Sequence, residues 1–222
     1  MPKTIAIIPA RGGSKRLPRK NLLSLDGLPL IVHSINYAKE NLELLDAIFV
    51  STEDEEIKSV AREHGVEVID RPIHLASDTT PTVDVLKDAL LQIGSAVDNV
   101  VLLQVTNPLR PANLLRDAFS VYSDNRADSL MAITRNHQKF GRIEQEKFVP
   151  YNYKIGQRSQ DLEPLYFENG LLYISKAECI AAGEIMGKNN IPFIVEHPFA
   201  QVDIDTSGDL KYAEFILNTY KE

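Results

Sequence analysis

The chain has 222 residues, of which 44% are apolar, and its 24 Lys and Arg against 31 Asp and Glu give a formal net charge of −7. This length predicts one domain over residues 1–222, with enough apolar side chains for a sizeable core. The acidic balance argues against nonspecific binding to nucleic acid, which depends on many Lys and Arg contacts to phosphates.

The start of the chain and the cysteine content bear on location. The first apolar run, residues 4–10, is too short for a signal peptide or a membrane-spanning helix. A single cysteine, Cys179, excludes an intramolecular disulfide and fits a reducing compartment. We therefore expect a cytoplasmic protein with neither a nucleic-acid nor a membrane partner.

Short apolar runs alternate with longer amphipathic stretches along most of the chain. The apolar runs predict strands, at residues 4–10, 47–52, 66–70, 99–105 and 129–134. The stretches between them have helical spacing and predict helices, at residues 28–41, 54–65, 82–94 and 112–125. This alternation indicates an α/β domain of three layers, with a Rossmann-like, mostly parallel sheet between two layers of helices.

The alternation stops near residue 136. Residues 136–168 are polar, rich in Tyr and Phe, and have little periodicity, so they predict an inserted, extended arm. A strand at 171–175 and a helix at 176–183 then resume the pattern.

Five cationic side chains follow the first predicted strand within ten residues: Arg11, Lys15, Arg16, Arg19 and Lys20. In open α/β sheets, ligands bind beyond the carboxyl ends of the strands, which is where this loop lies. Gly12 and Gly13 would let backbone N–H groups approach an anion closely. Arg11, Lys15 and Lys20 could then neutralise a triphosphate. The Walker and GxGxxG patterns do not occur here. The alternative is a solvated basic loop.

Residues 8–21, IPARGGSKRLPRKN, resemble the N-terminal signature of the acylneuraminate cytidylyltransferases, the CMP-sialic acid synthetases. That family makes CMP-sugars from CTP and nine-carbon α-keto acids. The related CMP-KDO synthetases usually have Pro after the Lys that matches Lys20. Here Asn21 follows Lys20, which favours the nine-carbon branch.

Five further segments resemble blocks of the same family, in the family's order: VSTED (50–54), RPIHLASDTTPT (71–82), LLQVTNPLR (102–110), ENGLLYI (168–174) and DIDTSGDL (203–210). The chain has QVTNPLR where the family commonly has QPTSPLR, so Val105 and Asn107 replace Pro and Ser. The arm also departs from the family, which leaves the acceptor sugar open. The resemblance implies a fold of the nucleotide-diphospho-sugar transferase type and a homodimer formed through the arm.

The resemblance also implies a set of substrate-binding residues. The nucleotide would be bound by Ala10, Arg11, Gly12, Gly13, Ser14, Lys15, Lys20, Asn21, Arg71, Ser77, Asp78, Thr79, Thr80 and Thr82. The sugar would be bound by Gln104, Arg158, Asn169, Gly170 and Tyr173. Two alternatives stay open, because Asp78, Thr79 and Thr80 could instead cap the following helix, and Tyr173 could instead pack in the core.

Residues 203–214, DIDTSGDLKYAE, match the spacing of an EF-hand calcium loop. However, the preceding segment contains Pro192 and Pro198 and is typical of strand and turn, whereas an EF-hand needs a helix there. In an extended segment, Asp203 and Asp205 point to the same side and can hold one hard cation. The family uses its matching pair for Mg²⁺, with Mn²⁺ a possible substitute.

The expected reaction is transfer of CMP from CTP to the anomeric hydroxyl of a nine-carbon 2-keto sugar acid, N-acetylneuraminate, with release of pyrophosphate. Lys15, Arg11 and Asp205 are the expected catalytic residues, and either Asp205 or a metal-bound hydroxide would take the sugar proton. The alternatives are the same reaction on legionaminate, pseudaminate, KDN or KDO, and a non-catalytic nucleotide- or metal-binding module.

Overall fold

A seven-stranded sheet forms the centre of the computed structural model, which describes residues 3–94 and 96–220. The strands are β1 (Thr4–Pro9), β2 (Ser24–Leu25), β3 (Leu28–Pro29), β4 (Ala47–Thr52), β5 (Glu67–Asp70), β6 (Asn99–Leu102), β7 (Ser129–Asn136), β8 (Gly141–Glu144), β9 (Lys147–Pro150), β10 (Leu165–Lys176) and β11 (Asn190–Ile194). In the large sheet the order is β11-β7-β10-β6-β1-β4-β5. Every neighbouring pair is parallel except those of β10, which runs antiparallel to β6 and β7. The predicted α/β fold with a mostly parallel sheet is therefore confirmed.

Helices cover both faces of the sheet. They are α1 (Leu30–Lys39), α2 (Glu55–Glu63), α3 (Thr82–Ile93), α4 (Leu114–Asp124), α5 (Ala177–Ala181) and α6 (Ser207–Thr219). Side chains of β1 alternate between two cores, as the period of two in a strand requires: Ala6 and Ile8 lie in one core, and Ile5 and Ile7 lie in the other. The first core includes residues of α1, α2, α4 and α6, and the second includes residues of α3 and α5.

Local signals explain where several helices begin and end. The Asp54 carboxylate accepts hydrogen bonds from the backbone N–H groups of Glu56 and Ile57, both at 3.0 Å, and so caps the N-terminus of α2. Gly94 ends α3 with a φ of 63°, a conformation that glycine adopts without steric cost. Helix α1 begins at Leu30, later than predicted, because Leu28 and Pro29 pair with β2 in a short hairpin. Across the described ranges, no helix combines the length and apolarity needed to cross a bilayer.

The segment predicted as an inserted arm differs from the expectation at both of its ends. Strand β7 extends to Asn136, and β10 already begins at Leu165, which pairs with Asn136. Between these strands, β8 and β9 form a separate hairpin. The sequence does not predict the early start of β10, because Leu165, Tyr166 and Phe167 are consecutive apolar residues and the segment shows no alternation between apolar and polar residues. We call residues 137–164 the insertion.

The insertion and the basic loop lie at the same edge of the sheet. Strand β7 has the same direction as β6 and β1, because β10 lies antiparallel between β7 and β6. The chain therefore leaves β7 for the insertion at the edge where it also leaves β1 for residues 10–20. This edge carries the candidate site.

Candidate active site

A cleft of about 660 Å³ opens at the carboxyl edge of the sheet. Residues of the basic loop form one wall and residues 71–85 form another, with the turn after β6 and Asp205 completing the lining. Most of the predicted nucleotide residues meet in this cleft: Arg11, Ser14, Lys15, Lys20, Asn21, Arg71, Ser77, Asp78, Thr80 and Thr82. Gln104 and Asp205 line it as well. Seven further residues line the cleft that were not among the predicted binding residues: Pro9, Arg16, Leu17, Leu75, Val85, Val105 and Thr106.

Four of the five cations in the basic loop form ion pairs with two carboxylates of the cleft. Arg11 Nη2 and Lys15 Nζ each lie 2.6 Å from the Asp78 carboxylate. Lys20 Nζ and Arg16 Nη1 lie 2.7 Å and 2.9 Å from the Asp205 carboxylate. The Lys15 ammonium and the Arg11 guanidinium hold the pKa of Asp78 below its usual range. The basic loop is thus neutralised locally by carboxylates from distant parts of the chain.

Arg19, the fifth cation, lies outside the cleft lining. It has a φ of 54° and pairs with Glu56 of α2, while Asp54 lies 3.8 Å away. Because these partners belong to α2, Arg19 fixes the outer part of the loop to that helix. The loop therefore divides into four side chains that line the cleft and one that anchors the loop.

The glycines of the loop serve different purposes. The Gly12 N–H donates to Glu53 Oε1 at 2.8 Å, and a Cβ at Gly12 would overlap the Asp54 carboxylate. Gly12 therefore allows a close approach between the loop and the segment after β4. Gly13 has open space where its Cβ would lie. Asn21 is buried and donates to the Arg11 carbonyl at 2.8 Å, so it closes the loop on itself.

Ala10, Gly12, Gly13 and Thr79 lie outside the cleft lining as the described residues define it. Ala10 is buried in the core and continues the β1–β4 ladder through its N–H, which donates to the Ser51 carbonyl at 3.0 Å. Ala10 therefore fixes the start of the basic loop to the central sheet.

The wall formed by residues 71–82 combines a buried cation with a cluster of hydroxyls. Arg71 donates to the Ser51 carbonyl at 2.6 Å, and burial lowers the pKa of its guanidinium. Ser77 Oγ lies 2.8 Å from Thr80 Oγ1 and 3.1 Å from Thr79 Oγ1. In the described part of the chain, α3 follows Pro81 with no side chain capping it. The capping alternative for Asp78, Thr79 and Thr80 is therefore wrong.

Asn169 and Gly170 lie within strand β10 of the central sheet. The register of β10 against β7 shifts between Glu168 and Tyr173, and Gly170 has a φ of 75°. Asn169 is buried, and its amide donates to Thr134 Oγ1 at 3.0 Å. These two residues form the irregular turn of the strand and lie outside the described cleft lining.

Asn107 holds this irregular turn in place. Its amide donates to the carbonyls of Asn169 at 3.0 Å and Val202 at 2.9 Å, and a Cβ at Gly170 would overlap its side chain. Asn107 is one of the two departures from the family's QPTSPLR block, but its contacts with Asn169 and Val202 could not be predicted from that difference.

Tyr173 and Arg158, the other two predicted sugar residues, also lie outside the described lining. Tyr173 packs in the second core and its hydroxyl donates to Glu168, and burial raises its pKa. Arg158 lies in the insertion, is mostly exposed, and pairs with Asp161 at 2.8 Å. Of the five predicted sugar residues, the cleft of this single chain contains Gln104.

The predicted metal pair lies on an extended segment. Ile204 is buried and its N–H donates to the Thr106 carbonyl at 2.8 Å, so Asp203 and Asp205 both face away from the core. Partial desolvation of the Asp203 carboxylate, and then the nearby charge of Asp205, raise the pKa of Asp203. Within residues 3–94 and 96–220, no group of three or more His, Cys, Asp or Glu could hold a metal.

Two carboxylates still suit Mg²⁺, which binds through one or two carboxylates together with substrate phosphates. The calcium-loop spacing has a different explanation. The Asp209 carboxylate accepts hydrogen bonds from the N–H groups of Asp205 and Thr206, and Thr206 caps α6 in return. The Asp-rich motif is therefore a helix start preceded by two partly exposed carboxylates.

Comparison with known proteins identifies the family. A family model described as Cytidylyltransferase matches residues 5–216. The chain belongs to the cytidylyltransferase family. It is 38% identical over 183 residues to an N-acylneuraminate cytidylyltransferase of Streptococcus agalactiae serotype V. The aligned region covers 79% of this chain and 44% of that protein. It is 32% identical over 229 residues to a pseudaminic acid cytidylyltransferase of Campylobacter jejuni, which covers 99% of this chain and 98% of that protein.

The chain spans about 44% of the length of the streptococcal relatives. Both groups of cytidylyltransferase relatives confirm the resemblance to the CMP-nonulosonate synthetases that the motifs indicated.

Solved structures confirm the fold of the chain. A CMP:2-keto-3-deoxy-manno-octonic acid synthetase complexed with CTP has a TM-score of 0.70 at 16% identity, over 98% of this chain and 99% of that one. A 4-diphosphocytidyl-2C-methyl-D-erythritol synthase from Anaerococcus prevotii has a TM-score of 0.70 at 12% identity, with the same coverage.

Proposed function

We propose that this cytidylyltransferase transfers CMP from CTP to the anomeric hydroxyl of a nine-carbon 2-keto sugar acid and releases pyrophosphate. The observation that carries the proposal is the cleft itself, where four cations of one loop face two carboxylates at the carboxyl edge of the sheet. A triphosphate is the ligand whose charge best matches these cations.

The cations act on the charge that develops during transfer. The oxygen of the anomeric hydroxyl forms a bond to the α-phosphorus, and the bond between that phosphorus and the pyrophosphate oxygen breaks. Negative charge accumulates on the α-phosphate and on the leaving pyrophosphate. Arg11 offers a planar fork of donors, whereas Lys15 offers a mobile point charge, so together they can follow this charge.

Asp203 and Asp205 would hold Mg²⁺, with Mn²⁺ as a possible substitute. The bound cation would supply further neutralisation of the α-phosphate and of the leaving group. In the ligand-free cleft, Lys20 and Arg16 neutralise Asp205. When Asp205 turns to a cation, both basic side chains become available to the phosphates. The sugar proton passes to solvent or to Asp205, the carboxylate of the pair that lines the cleft.

The walls of the cleft supply contacts for the base and the sugar. The hydroxyls of Ser77 and Thr80 and the Arg71 guanidinium lie on the wall opposite the basic loop and can read the polar edge of cytosine. The turn after β6, residues 104–106, forms what we call the floor of the cleft. Its residue Gln104 offers a neutral amide to sugar hydroxyls without adding charge near the phosphates.

We propose N-acetylneuraminate as the acceptor and pseudaminate as the second candidate. The first choice is supported by the 38% identity to the streptococcal N-acylneuraminate cytidylyltransferase. The second is supported by a relative that matches along nearly the full length of both chains, the pseudaminic acid cytidylyltransferase of Campylobacter jejuni.

We further propose a homodimer formed through the insertion, working in the cytoplasm. Large apolar side chains of the insertion are exposed in the single chain: Phe140, Ile143, Phe148, Val149, Tyr151 and Ile155. Covering them would bury a substantial apolar area. Cys179 is a free thiol, which suits a reducing compartment. A monomeric mass by light scattering at micromolar concentration would contradict the dimer.

The experiment that tests the function measures pyrophosphate release with Mg²⁺. It crosses CTP, UTP, GTP and ATP with N-acetylneuraminate, KDN, legionaminate, pseudaminate and KDO. We expect release with CTP and N-acetylneuraminate. Release with pseudaminate alone would keep the reaction and change the acceptor. No release with any pair, from folded protein that binds CTP, would overturn the proposal in favour of a non-catalytic nucleotide-binding module.

A further inference from the structure

The Asp78 carboxylate joins the two walls of the cleft. It belongs to the segment between β5 and α3, whereas its partners Arg11 and Lys15 belong to the loop after β1. One carboxylate oxygen lies 2.6 Å from Arg11 Nη2 and the other lies 2.6 Å from Lys15 Nζ. Both oxygens therefore occupy donors that the proposed function assigns to the phosphates of the nucleotide.

We propose that Asp78 is an internal competitor of the nucleotide's phosphates, which occupies Arg11 and Lys15 until a polyphosphate displaces it. This inference rests on the proposed function, because it assigns Asp78 a place in the binding of CTP. Asp78 pairs with Arg11 and Lys15 across the cleft, and the ligand takes over both cations when it binds.

The exposure of the pair makes such an exchange feasible. The side chains of Arg11 and Asp78 are each 29% exposed, and that of Lys15 is 84% exposed. Water can therefore solvate each group as the pair opens, and the large penalty for a buried unpaired charge does not arise. A carboxylate carries one negative charge, whereas a triphosphate presents several oxygens and several charges to the same two cations.

The same competition favours release of the product. After transfer, pyrophosphate leaves with most of the phosphate charge, and the CMP-sugar keeps a single phosphodiester. Asp78 then competes with a group of equal charge for Arg11 and Lys15, and its own oxygens are already tethered beside them. The ion pairs thus re-form as the product departs.

Asp205 differs from Asp78 although it also pairs with two cations of the loop. In the proposed function, Asp205 turns to a divalent cation when CTP binds, so it contributes to the bound state. Asp78 has no such second partner, and its ion pairs are lost when the ligand binds. Removing its charge should therefore strengthen binding, whereas removing the charge of Asp205 should weaken it.

Glu56 provides a matched control. It pairs with Arg19 of the same loop, and both side chains lie outside the described cleft lining. Glu56→Gln changes the net charge by the same amount as Asp78→Asn and also frees one cation of the loop. The two variants therefore lose the same charge from the same region, but Glu56→Gln frees one cation outside the described cleft lining and Asp78→Asn frees two that line it.

The test measures the affinity of the full chain for CTP, for pyrophosphate and for cytidine by titration calorimetry, without sugar acid. We expect Asp78→Asn to bind CTP and pyrophosphate about 3- to 10-fold more tightly than wild type, the range for removal of two partly exposed pairs. Cytidine has no phosphate, so its affinity should not change. Glu56→Gln should match wild type for every ligand.

Unchanged or weaker binding of CTP and pyrophosphate by folded Asp78→Asn would overturn the inference. Asp78→Ser provides a second neutral variant if the asparagine variant does not fold, and the same results are expected for it. Gains that also appear in Glu56→Gln would reduce the effect to net charge and overturn the inference as well. If wild type transfers CMP but Asp78→Asn shows no gain, the inference fails alone. If the gain appears but no acid supports pyrophosphate release, the proposed function fails alone.

Discussion

Arg11 and Arg110 both lie near the cleft, but their surroundings differ. Arg11 is 29% exposed and pairs with the Asp78 carboxylate across the cleft. Arg110 is 6% exposed and donates to the carbonyls of Leu171 and Gln104, both at 2.7 Å, and to Ser34 Oγ at 3.1 Å. None of the ion pairs in the described residues includes Arg110.

The ion pair of Arg11 is partly solvated and can open to admit a ligand. The hydrogen bonds of Arg110 are largely buried and have to persist for the cleft to keep its shape. Burial without a carboxylate lowers the pKa of Arg110 to about 10, and its guanidinium lies 5.6 Å from the centre of the Tyr37 ring. Each of its donors satisfies a group of a different element, so the side chain ties α1 and β10 to the floor residue Gln104. In the proposed function, the cations of the ion pairs that line the cleft bind the ligand, whereas the hydrogen bonds of Arg110 hold the residues beneath the cleft in place.

Among these substitutions, loss of Lys15, whose ion pair can open to a ligand, should have the greatest effect on catalysis. Lys15→Ala should lower kcat by about 100-fold or more, because it removes a charge aimed at the transferring phosphates. Its melting temperature should match wild type, since Lys15 is 84% exposed. Steady-state kinetics and a thermal melt check both points.

Arg19→Ala is the control for Lys15→Ala, because Arg19 pairs with Glu56 outside the described cleft lining. Its kcat should stay within about twofold of wild type, as expected for an exposed ion pair. Near-normal turnover by Lys15→Ala would contradict the role of the loop in catalysis.

The buried contacts of Arg110 should contribute to the free energy of unfolding. Arg110→Met should lower the free energy of unfolding by about 3 kcal/mol or more, because a buried carbonyl, a partly buried carbonyl and a buried hydroxyl lose this donor. Arg11→Met should lower it far less, since both partners in its ion pair can be solvated. Urea denaturation of the two variants compares them directly. Equal losses would remove the distinction between the two arginines.

A smaller loss of stability is expected at Gly170, which also lies beneath the cleft. Gly170→Ala should cost about 1–3 kcal/mol, because Gly170 has a φ of 75° and an added Cβ would overlap Asn107. Gly183→Ala is the matched control, with a φ of 91° and open space around the added Cβ. The difference between the two variants in thermal denaturation isolates the overlap. A cost no greater than that of Gly183→Ala would show that Asn107 yields easily.

Much of the fold could be predicted from local patterns, because apolar runs and helical spacing are properties of neighbouring residues. The run at 4–10 marked β1, and its polar continuation located the basic loop at the carboxyl edge. Strand β6 ends at Leu102, earlier than predicted, because the chain turns there toward the floor of the cleft. Such boundaries depend on tertiary packing, which a local pattern does not contain.

The pairings of the candidate site could not be predicted in the same way. Arg11 and Asp78 are distant in sequence, and nothing in either segment specifies that the two walls face each other. Arg110 was noted as part of a family block, but its burial depends on α1, β10 and the turn after β6 meeting around it. The resemblance pointed to many of the residues that line the cleft, and the contacts among them are properties of the folded chain.

The central claim is that the cleft couples CTP to a sugar acid through its α-phosphate. Phosphorus NMR of the protein with CTP, Mg²⁺ and N-acetylneuraminate follows every phosphorus atom of the reaction. We expect pyrophosphate and a new phosphodiester to appear in equal amounts as CTP disappears. Conversion of CTP to CDP and phosphate, or unchanged CTP in the presence of folded protein that binds it, would show that the proposed reaction is wrong.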